Sequence, residues 1–305
     1  MNLPKRLLGI GVIVVGLGCG GEGESPSEPD TATPVAPAAR PSSTKPKSST
    51  DSSGTISVEE LRKKLGANEK AQFAERDGQI LAANLYDSGV TDLSPLKGLP
   101  LRELDLRGLD ISDLSPLKGM PLEALFVEDT QVSDLSPLAG MPLTKLYASR
   151  TPVKDLSPLE GMSLRELNLV GTPLDSLSSL KDTSIGTLWL VDTKIKDLSP
   201  LANRSITSLD IQSTPVEDLS PLATMSSLQR LNIIDTPVTD LTPLSRLSLQ
   251  RILLTPETVK TGWDVLRDMS SLQNIDTAAL HEIQAQNRQP MSVTEFWERY
   301  PKLLP

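Results

Sequence analysis

Residues 101–121 read LRELDLRGLDISDLSPLKGMP, and the same spelling returns, lightly varied, at 122–142 and onward. The segment DLSPL begins at Asp92, Asp113, Asp134, Asp155, Asp197 and Asp218, with SLSSL at Ser176 and DLTPL at Asp240. The step is 21 residues until the last, which is 22. Nothing in a compact enzyme demands a constant period. It predicts a solenoid whose units contact only their neighbours. Within one unit the apolar residues are Leu101, Leu104, Leu106, Ile111, Leu114 and Leu117, at offsets 1, 4, 6, 11, 14 and 17. Leu104 and Leu106 alternate around Asp105, the period of a strand. Strands are therefore expected near residues 103–106 and at 21-residue steps, paired in parallel. The roughly twelve residues between strands leave room for a loop or one 3₁₀ turn, not a full helix. Ser115 and Pro116 open that turn, serine to cap free N–H groups and proline because it has none to leave unpaired. One coil cannot bury its leucines, whereas stacked coils share a core.

The pattern LRELDLRGLDISDL resembles the leucine-rich repeat family, and DLSPLKGMPL resembles the short 21-residue repeats of bacterial, planctomycete-type members. The resemblance covers about residues 80–255, in nine units starting near Ile80, Leu101, Leu122, Leu143, Leu164, Ile185, Ile206, Leu228 and Leu249. It implies an α/β solenoid: a right-handed superhelix with short parallel strands on a concave face, loop or 3₁₀ returns, and small helical caps at both ends. It also implies protein binding on the concave sheet. Where the wider family carries Asn at the ninth offset, this chain has Ser88, Leu109, Thr130, Thr151, Thr172, Thr193, Thr214 and Thr236. Hydroxyls there are expected to satisfy backbone groups at the bend, less extensively than an amide ladder, and Leu109 needs another solution. The recurring aspartates stand one coil apart without neighbouring carboxylates, which fits turn capping better than calcium.

The chain has 305 residues, a net charge of -9, one cysteine and one histidine. A disulfide framework and a Cys/His zinc site are excluded, and the charge argues against nucleic acid as a partner. Lys5 and Arg6 precede LLGIGVIVVGLGC, too short an apolar run to span a bilayer and suited to a signal peptide. Cys19 after Gly18 resembles a lipoprotein signal, with Gly16 where that pattern places leucine. It implies lipidation at Cys19 and a membrane anchor, on the outer membrane or the periplasmic side; an ordinary cleaved signal, giving a secreted protein, and an uncleaved anchor stay open. Residues 20–54, rich in Pro, Ser, Thr and Ala, read as a disordered tether. Residues 55–79 read as an N-terminal cap, with Ser57 and Glu60 as a capping box before LRKKL, Gly66 as a stop and a turn at Asp77-Gly78. Residues 256–305 read as a C-terminal helical cap: a helix from Thr255 to about Met269, then a second opened by Ser292 and Glu295, with Phe296, Trp297 and Tyr300 docking it. His281 falls between them as an ordinary residue.

Offset 5 lies between two inward leucines, so it points out of the sheet. Its column holds Asn84, Asp105, Phe126, Tyr147, Asn168, Trp189, Asp210, Asn232 and Leu253, with three of the nine aromatic residues in the chain. Exposed aromatic anchors amid mixed charges suit a protein-binding surface, and Asp105, Phe126, Tyr147, Asn168, Trp189 and Asp210 are its candidate residues. The preference of aromatics for strands is the plainer account of the column. No Gly-rich phosphate loop, HExxH, CxxC or GxSxG occurs, and kinase loops found beside related repeats are missing. A carboxylate pair drawn from Asp105 with Glu103 or Glu128 is the one formal enzyme reading, weakened by the solvent exposure expected there. The expectation is a non-enzymatic binding module of the cell envelope without cofactor or metal, its partner an envelope protein. A structural envelope protein without a specific partner and a glycan-binding module are the alternatives.

Overall fold

The structure, a computed structural model, describes residues 56–303. The expected leader of residues 1–19, Cys19 and the tether of residues 20–54 lie outside the described residues. Eleven strands form one sheet in chain order. They are β1 (Gln72–Arg76), β2 (Gln79–Asn84), β3 (Glu103–Asp105), β4 (Ala124–Phe126), β5 (Lys145–Tyr147), β6 (Ser163–Asn168), β7 (Ser184–Trp189), β8 (Ser208–Asp210), β9 (Arg230–Ile233), β10 (Arg251–Leu254) and β11 (Asn274–Asp276). β1 and β2 are an antiparallel hairpin; every later pair is parallel. The register holds the repeat in phase: Leu104, Leu125, Leu146, Leu167 and Leu188 face one another in successive coils, all fully buried. The core is thus a stack of aliphatic layers, as the 21-residue period predicts.

β6 and β7 are twice as long as their neighbours β3, β4 and β5. The preceding units carry Pro100, Pro121 and Pro142 where these two carry Ser163 and Ser184. Proline has no N–H to give, whereas Ser184 donates to the Met162 carbonyl at 3.0 Å and pairs with Ser163; serine permits the longer pairing without enforcing it, since Ser205 holds the same position ahead of the three-residue β8.

Each return is a 3₁₀ turn such as Ser115–Leu117. Here the expected roles are redistributed. The capping group is Asp113, not Ser115: its Oδ1 accepts the Ser115 N–H at 2.7 Å and its Oδ2 accepts the Ser115 hydroxyl at 2.8 Å. Asp134, Asp155, Asp197, Asp218 and Asp240 repeat both bonds. Both carboxylate oxygens are engaged in their own turn, as the capping reading expects. At the bend after each strand the threonine hydroxyl donates to the carbonyl three residues back, from Thr130 to Val127 at 2.7 Å and likewise at Thr151, Thr172, Thr193, Thr214 and Thr236. Leu109 buries its side chain instead, and the Leu106 carbonyl takes its backbone N–H alone.

At the N-terminal end helix α1 (Val58–Leu65) begins at Ser57, whose hydroxyl oxygen accepts the Glu60 N–H, and stops at Gly66 with φ 62°. Leu61 and Leu65 plug the first coil. At the other end the expected helix from Thr255 is confined to α2 (Trp263–Asp268). The preceding residues are drawn along the previous return instead, Lys260 donating to the Thr239 carbonyl and Leu241 to that of Thr261. Gly262, at φ 84°, lies so close to this return that a Cβ would sit 2.6 Å from the Thr242 nitrogen. The chain then lays down β11 parallel to β10, one more coil where only helices were expected. The signal is SLQN at 271–274 against SLQR at 227–230 and 248–251. A step of 23 residues takes it out of phase.

Helix α3 (Leu280–Ala285) contains His281, and α4 (Val293–Arg299) opens with the full Ser292–Glu295 capping box. Phe296 of α4 is buried against Trp263 at 6.1 Å between ring centres. The segment between is pinned at Asp276, which is fully buried and accepts hydrogen bonds from both Arg288 Nη atoms and from the Met291 backbone.

Candidate functional site on the outward sheet face

Three columns of side chains leave the sheet on the side away from the leucine core. The middle one is the predicted column, brought into line by strand pairing: Asn84, Asp105, Phe126, Tyr147, Asn168, Trp189, Asp210, Asn232 and Leu253 are register partners in sequence. Asp276 of β11 extends it.

The aromatic residues are not the exposed anchors expected. Phe126, Tyr147 and Trp189 retain 4, 5 and 9% exposure and form a small core of their own with Ala124 and Val170. Phe126 meets Tyr147 edge-on at 5.2 Å between centroids, and Tyr147 meets Trp189 edge-on at 5.8 Å across the intervening Asn168 coil. Parallel strands stand about 4.8 Å apart, so rings on neighbouring coils have nowhere to go but onto each other. Edge-to-face contacts of this kind add about 0.5–1.5 kcal/mol beyond burial.

The row continues through Arg107, one of the mixed charges expected around the column, and Tyr86, which the sequence reading left out, both from the next column outward. The Arg107 guanidinium lies 5.9 Å from the Phe126 ring centre and 5.7 Å from that of Tyr86. It is clamped by the buried Asp105 carboxylate, with Nε at 2.9 Å from Oδ1 and Nη2 at 2.6 Å from Oδ2. Tyr86 is 55% exposed and is the one large apolar side chain open to solvent among the described residues. A continuous row thus runs Tyr86–Arg107–Phe126–Tyr147–Trp189. Arg107 falls two residues after Asp105 in the same unit, and Tyr86 is its counterpart one unit earlier, so the 21-residue register contained the signal.

Polar partners lock the rest. The Tyr147 hydroxyl donates to Glu166, which also pairs with Lys145 at 2.8 Å. Burial works against ionisation of Glu166, but these two bonds outweigh it and hold its carboxyl below the ordinary value. Burial and the Glu166 carboxylate push the Tyr147 phenol up. The Ser149 hydroxyl donates to Asn168 Oδ1 at 2.7 Å. Arg150 holds Asp129 in a two-pronged pair at 2.5 and 2.6 Å, which lowers the Asp129 pKa. Glu128 differs from all of these. Its Oε2 is buried without a hydrogen-bond partner, and burial raises its carboxyl to about 7 despite the nearby Arg107 and Arg150. Glu103 is raised by burial and then by the Asp105 charge.

The carboxylates expected here to be solvent-exposed are not: Asp105 is buried, and Glu103 and Glu128 are half-buried. Asp105 is committed to Arg107 and has no free oxygen to act as the second member of a catalytic pair with Glu128 or Glu103. Among the described residues no group of three or more His, Cys, Asp or Glu side chains is placed to hold a metal ion, and no helix is long and apolar enough to cross a membrane.

No family model and no curated protein sequence matches the chain. Solved structures do. Internalin C2 from Listeria monocytogenes is 30% identical, with a TM-score of 0.52 over 59% of this chain and 82% of that one. Internalin InlF from the same species is 25% identical over 62% and 71%, with a TM-score of 0.45. The ectodomain of the Arabidopsis thaliana receptor kinase GASSHO1/SCHENGEN3 is 18% identical, with a TM-score of 0.52 over 67% of this chain and 31% of that one, a likeness of fold. With one parallel strand and one 3₁₀ turn per 21-residue coil, and 30% identity across most of internalin C2, the chain belongs to the leucine-rich repeat proteins and is related to the Listeria internalins.

Proposed function

We propose that the chain is a non-enzymatic protein-binding module that uses the outward, in this fold concave, face of its sheet. The observation that carries this reading is the row from Tyr86 to Trp189. Its rings and guanidinium are fixed by one another and by Asp105, so a partner landing there orders few side chains, and ordering is a main cost of association. Buried aromatic and arginine groups ringed by polar side chains are the usual composition of an interface centre. The partner is a protein of the cell envelope, because the basic start, short apolar run and Cys19 give the chain the address of a lipid-anchored or secreted protein. A sugar-stacking platform fits less well. Stacking needs an open ring face, and three of the four rings in the row are covered.

The row also directs the experiment. Phe126, Tyr147 and Trp189 are structural, so truncating them disturbs the fold as well as the face. Tyr86 and Arg107 are the variants of choice. Partners are captured by crosslinking the full chain in envelope preparations, then purified and titrated. Tyr86→Ala and Arg107→Ala are expected to weaken binding by about 1–3 kcal/mol each, Tyr86→Ala with an unchanged thermal midpoint and Arg107→Ala with a lowered one that Asp105→Asn partly restores, because its loss strands the buried Asp105 carboxylate. A purified partner bound equally by wild type and both variants would move the interface elsewhere.

A further inference from the structure

The leading ends of most coils are left unpaired, and beside β6 and β7 a cleft forms there. Pairing between β6 and β7 runs back to Ser163 and Ser184, but between β7 and β8 it begins only at Thr187 and Ser208. The leading ends of these coils part around a cleft of about 530 Å³, lined among others by Ser163, Arg165, Ser184, Gly186, Arg204 and Ser205. At Gly186 the chain runs tight against the preceding coil. The counterparts of this glycine in neighbouring units are Arg165 and Thr207, and a Cβ on Gly186 would stand 2.9 Å from the Arg165 carbonyl oxygen.

The cleft is cationic in a chain of net charge -9. Neither Arg165 nor Arg204 takes part in a salt bridge among the described residues. Arg204 Nε is buried and has no hydrogen-bond partner. The one carboxylate in the lining, Glu166, is already held by Lys145 and the Tyr147 hydroxyl. A buried guanidinium N–H without an acceptor is costly. The group that answers it best is a planar oxyanion, which takes Nε–H and Nη–H together once the side chain turns this edge toward the cleft. Hydroxyls from three serines at the rim suit the flanking amides of a peptide.

We infer that this cleft receives a carboxylate carried on an acidic side chain of the protein partner, gripped by Arg204 and Arg165. The inference rests on the binding reading above and adds a specificity element: the outward face takes the body of the partner while the cleft selects for an acidic residue at one position.

The test needs no knowledge of the partner. The full chain is labelled with ¹⁵N-arginine, and the Arg165 and Arg204 Nε resonances are assigned from R165Q and R204Q. It is titrated with N-acetylglutamate N-methylamide, with the matching glutamine compound, and with glucuronate. The expected result is a saturable shift of the Arg204 resonance with the glutamate probe and none with the glutamine probe. R165Q should weaken the response about tenfold, the worth of one charge-assisted bond, with an unchanged melting curve. No shift, an equal shift with the glutamine probe, or a shift shared by every arginine would overturn the proposal. Glucuronate binding about tenfold more tightly than the glutamate probe would make the occupant a sugar acid and also overturn it. Tyr86 and Arg107 do not line this cleft, so a silent Arg204 beside partner binding that Tyr86→Ala abolishes defeats this inference alone. A responsive Arg204 beside partner binding indifferent to Tyr86→Ala defeats the face reading alone.

Discussion

At the scale of single residues the chain tolerates conformations that its sequence does not advertise. The position closing each strand sits in the left-handed region in coil after coil: Asp87, Gly108, Asp129, Arg150, Gly171, Asp192, Ser213 and Asp235 have φ between 53° and 68°. Glycine occupies two of these sites and aspartate four, the residue types that pay least for such a backbone. Arg150 holds its place through the pair with Asp129, and Gly171 beside it leaves a side chain little room, since a Cβ would stand 3.1 Å from Arg150 Cγ. Glu128, one residue before Asp129, is the carboxyl group that burial raises furthest on the face. Its folded-state pKa near 7 lies above the ordinary carboxylate value of 4.5, so the folded chain holds an extra proton between those limits. The stability this group contributes is fully present below pH 4.5 and is lost as pH rises through 7. Glu128→Gln should therefore flatten that part of the stability profile and stabilise the chain at pH 8 by on the order of 2 kcal/mol. Urea unfolding of both proteins from pH 5 to 8 measures it, and parallel profiles would show that Glu128 is well solvated when charged.

At the scale of the element, a coil is held by two unlike devices, and they should respond differently to substitution. The inward leucines are shared between coils. Leu167 is fully buried between Leu146 and Leu188, so Leu167→Ala should cost about 2–5 kcal/mol through the cavity it leaves. The turn aspartates act only within their own coil. The Ser115 N–H and hydroxyl bonded to Asp113 keep its carboxyl below the usual value near 3.8. That contribution is present above the unfolded value and disappears as pH falls through the lowered one. Asp113→Asn should thus cost less than Leu167→Ala at pH 7 and approach wild type in acid, while the leucine variant keeps its full deficit. Equal and pH-independent losses would mean that Asp113 acts through packing. Legibility divides along the same line. The strands, the inward column and the 3₁₀ returns were readable because each repeats a spacing fixed by geometry. Turn capping was legible at the aspartates, but the share expected of Ser115 was not realised: both residues recur together in every unit, and only coordinates tell which oxygen faces which N–H. The aromatic column was found by register, but its burial was missed. Phe126 and Tyr147 cover each other because neighbouring strands lie closer together than the rings are wide, and Tyr147 and Trp189 because their rings reach across the small Asn168 coil between them.

At the scale of the whole described unit, a solenoid is only as secure as its ends, where a coil has one neighbour instead of two. The N-terminal end was legible from Ser57, Gly66 and the Asp77-Gly78 turn, each a local signal. The C-terminal end was harder because its last coil breaks period and its closure depends on a contact across 12 residues, from Asp276 to Arg288. Asp276 occupies the place in the outward column that Leu253 fills one coil earlier. Burial opposes its charge, yet the Arg288 hydrogen bonds, followed by those from the Met291 and Ala278 backbones, hold its pKa below the ordinary value. Removing the cation leaves a fully buried carboxylate with backbone donors only, and breaking a buried pair from one side costs about 3–5 kcal/mol, less here because Arg288 itself is one-third exposed. The loss should be local. Arg288→Ala is expected to speed amide exchange in α3, α4 and β11 while β3 to β8 keep their protection, since coils far from the end do not sense the lid directly. Asp276→Asn in the Arg288→Ala background should restore part of the protection by removing the stranded charge. If Arg288→Ala loosened every strand equally, the C-terminal lid would be part of one cooperative unit with the repeats, and the picture of coils stabilised by nearest neighbours would fail for this chain.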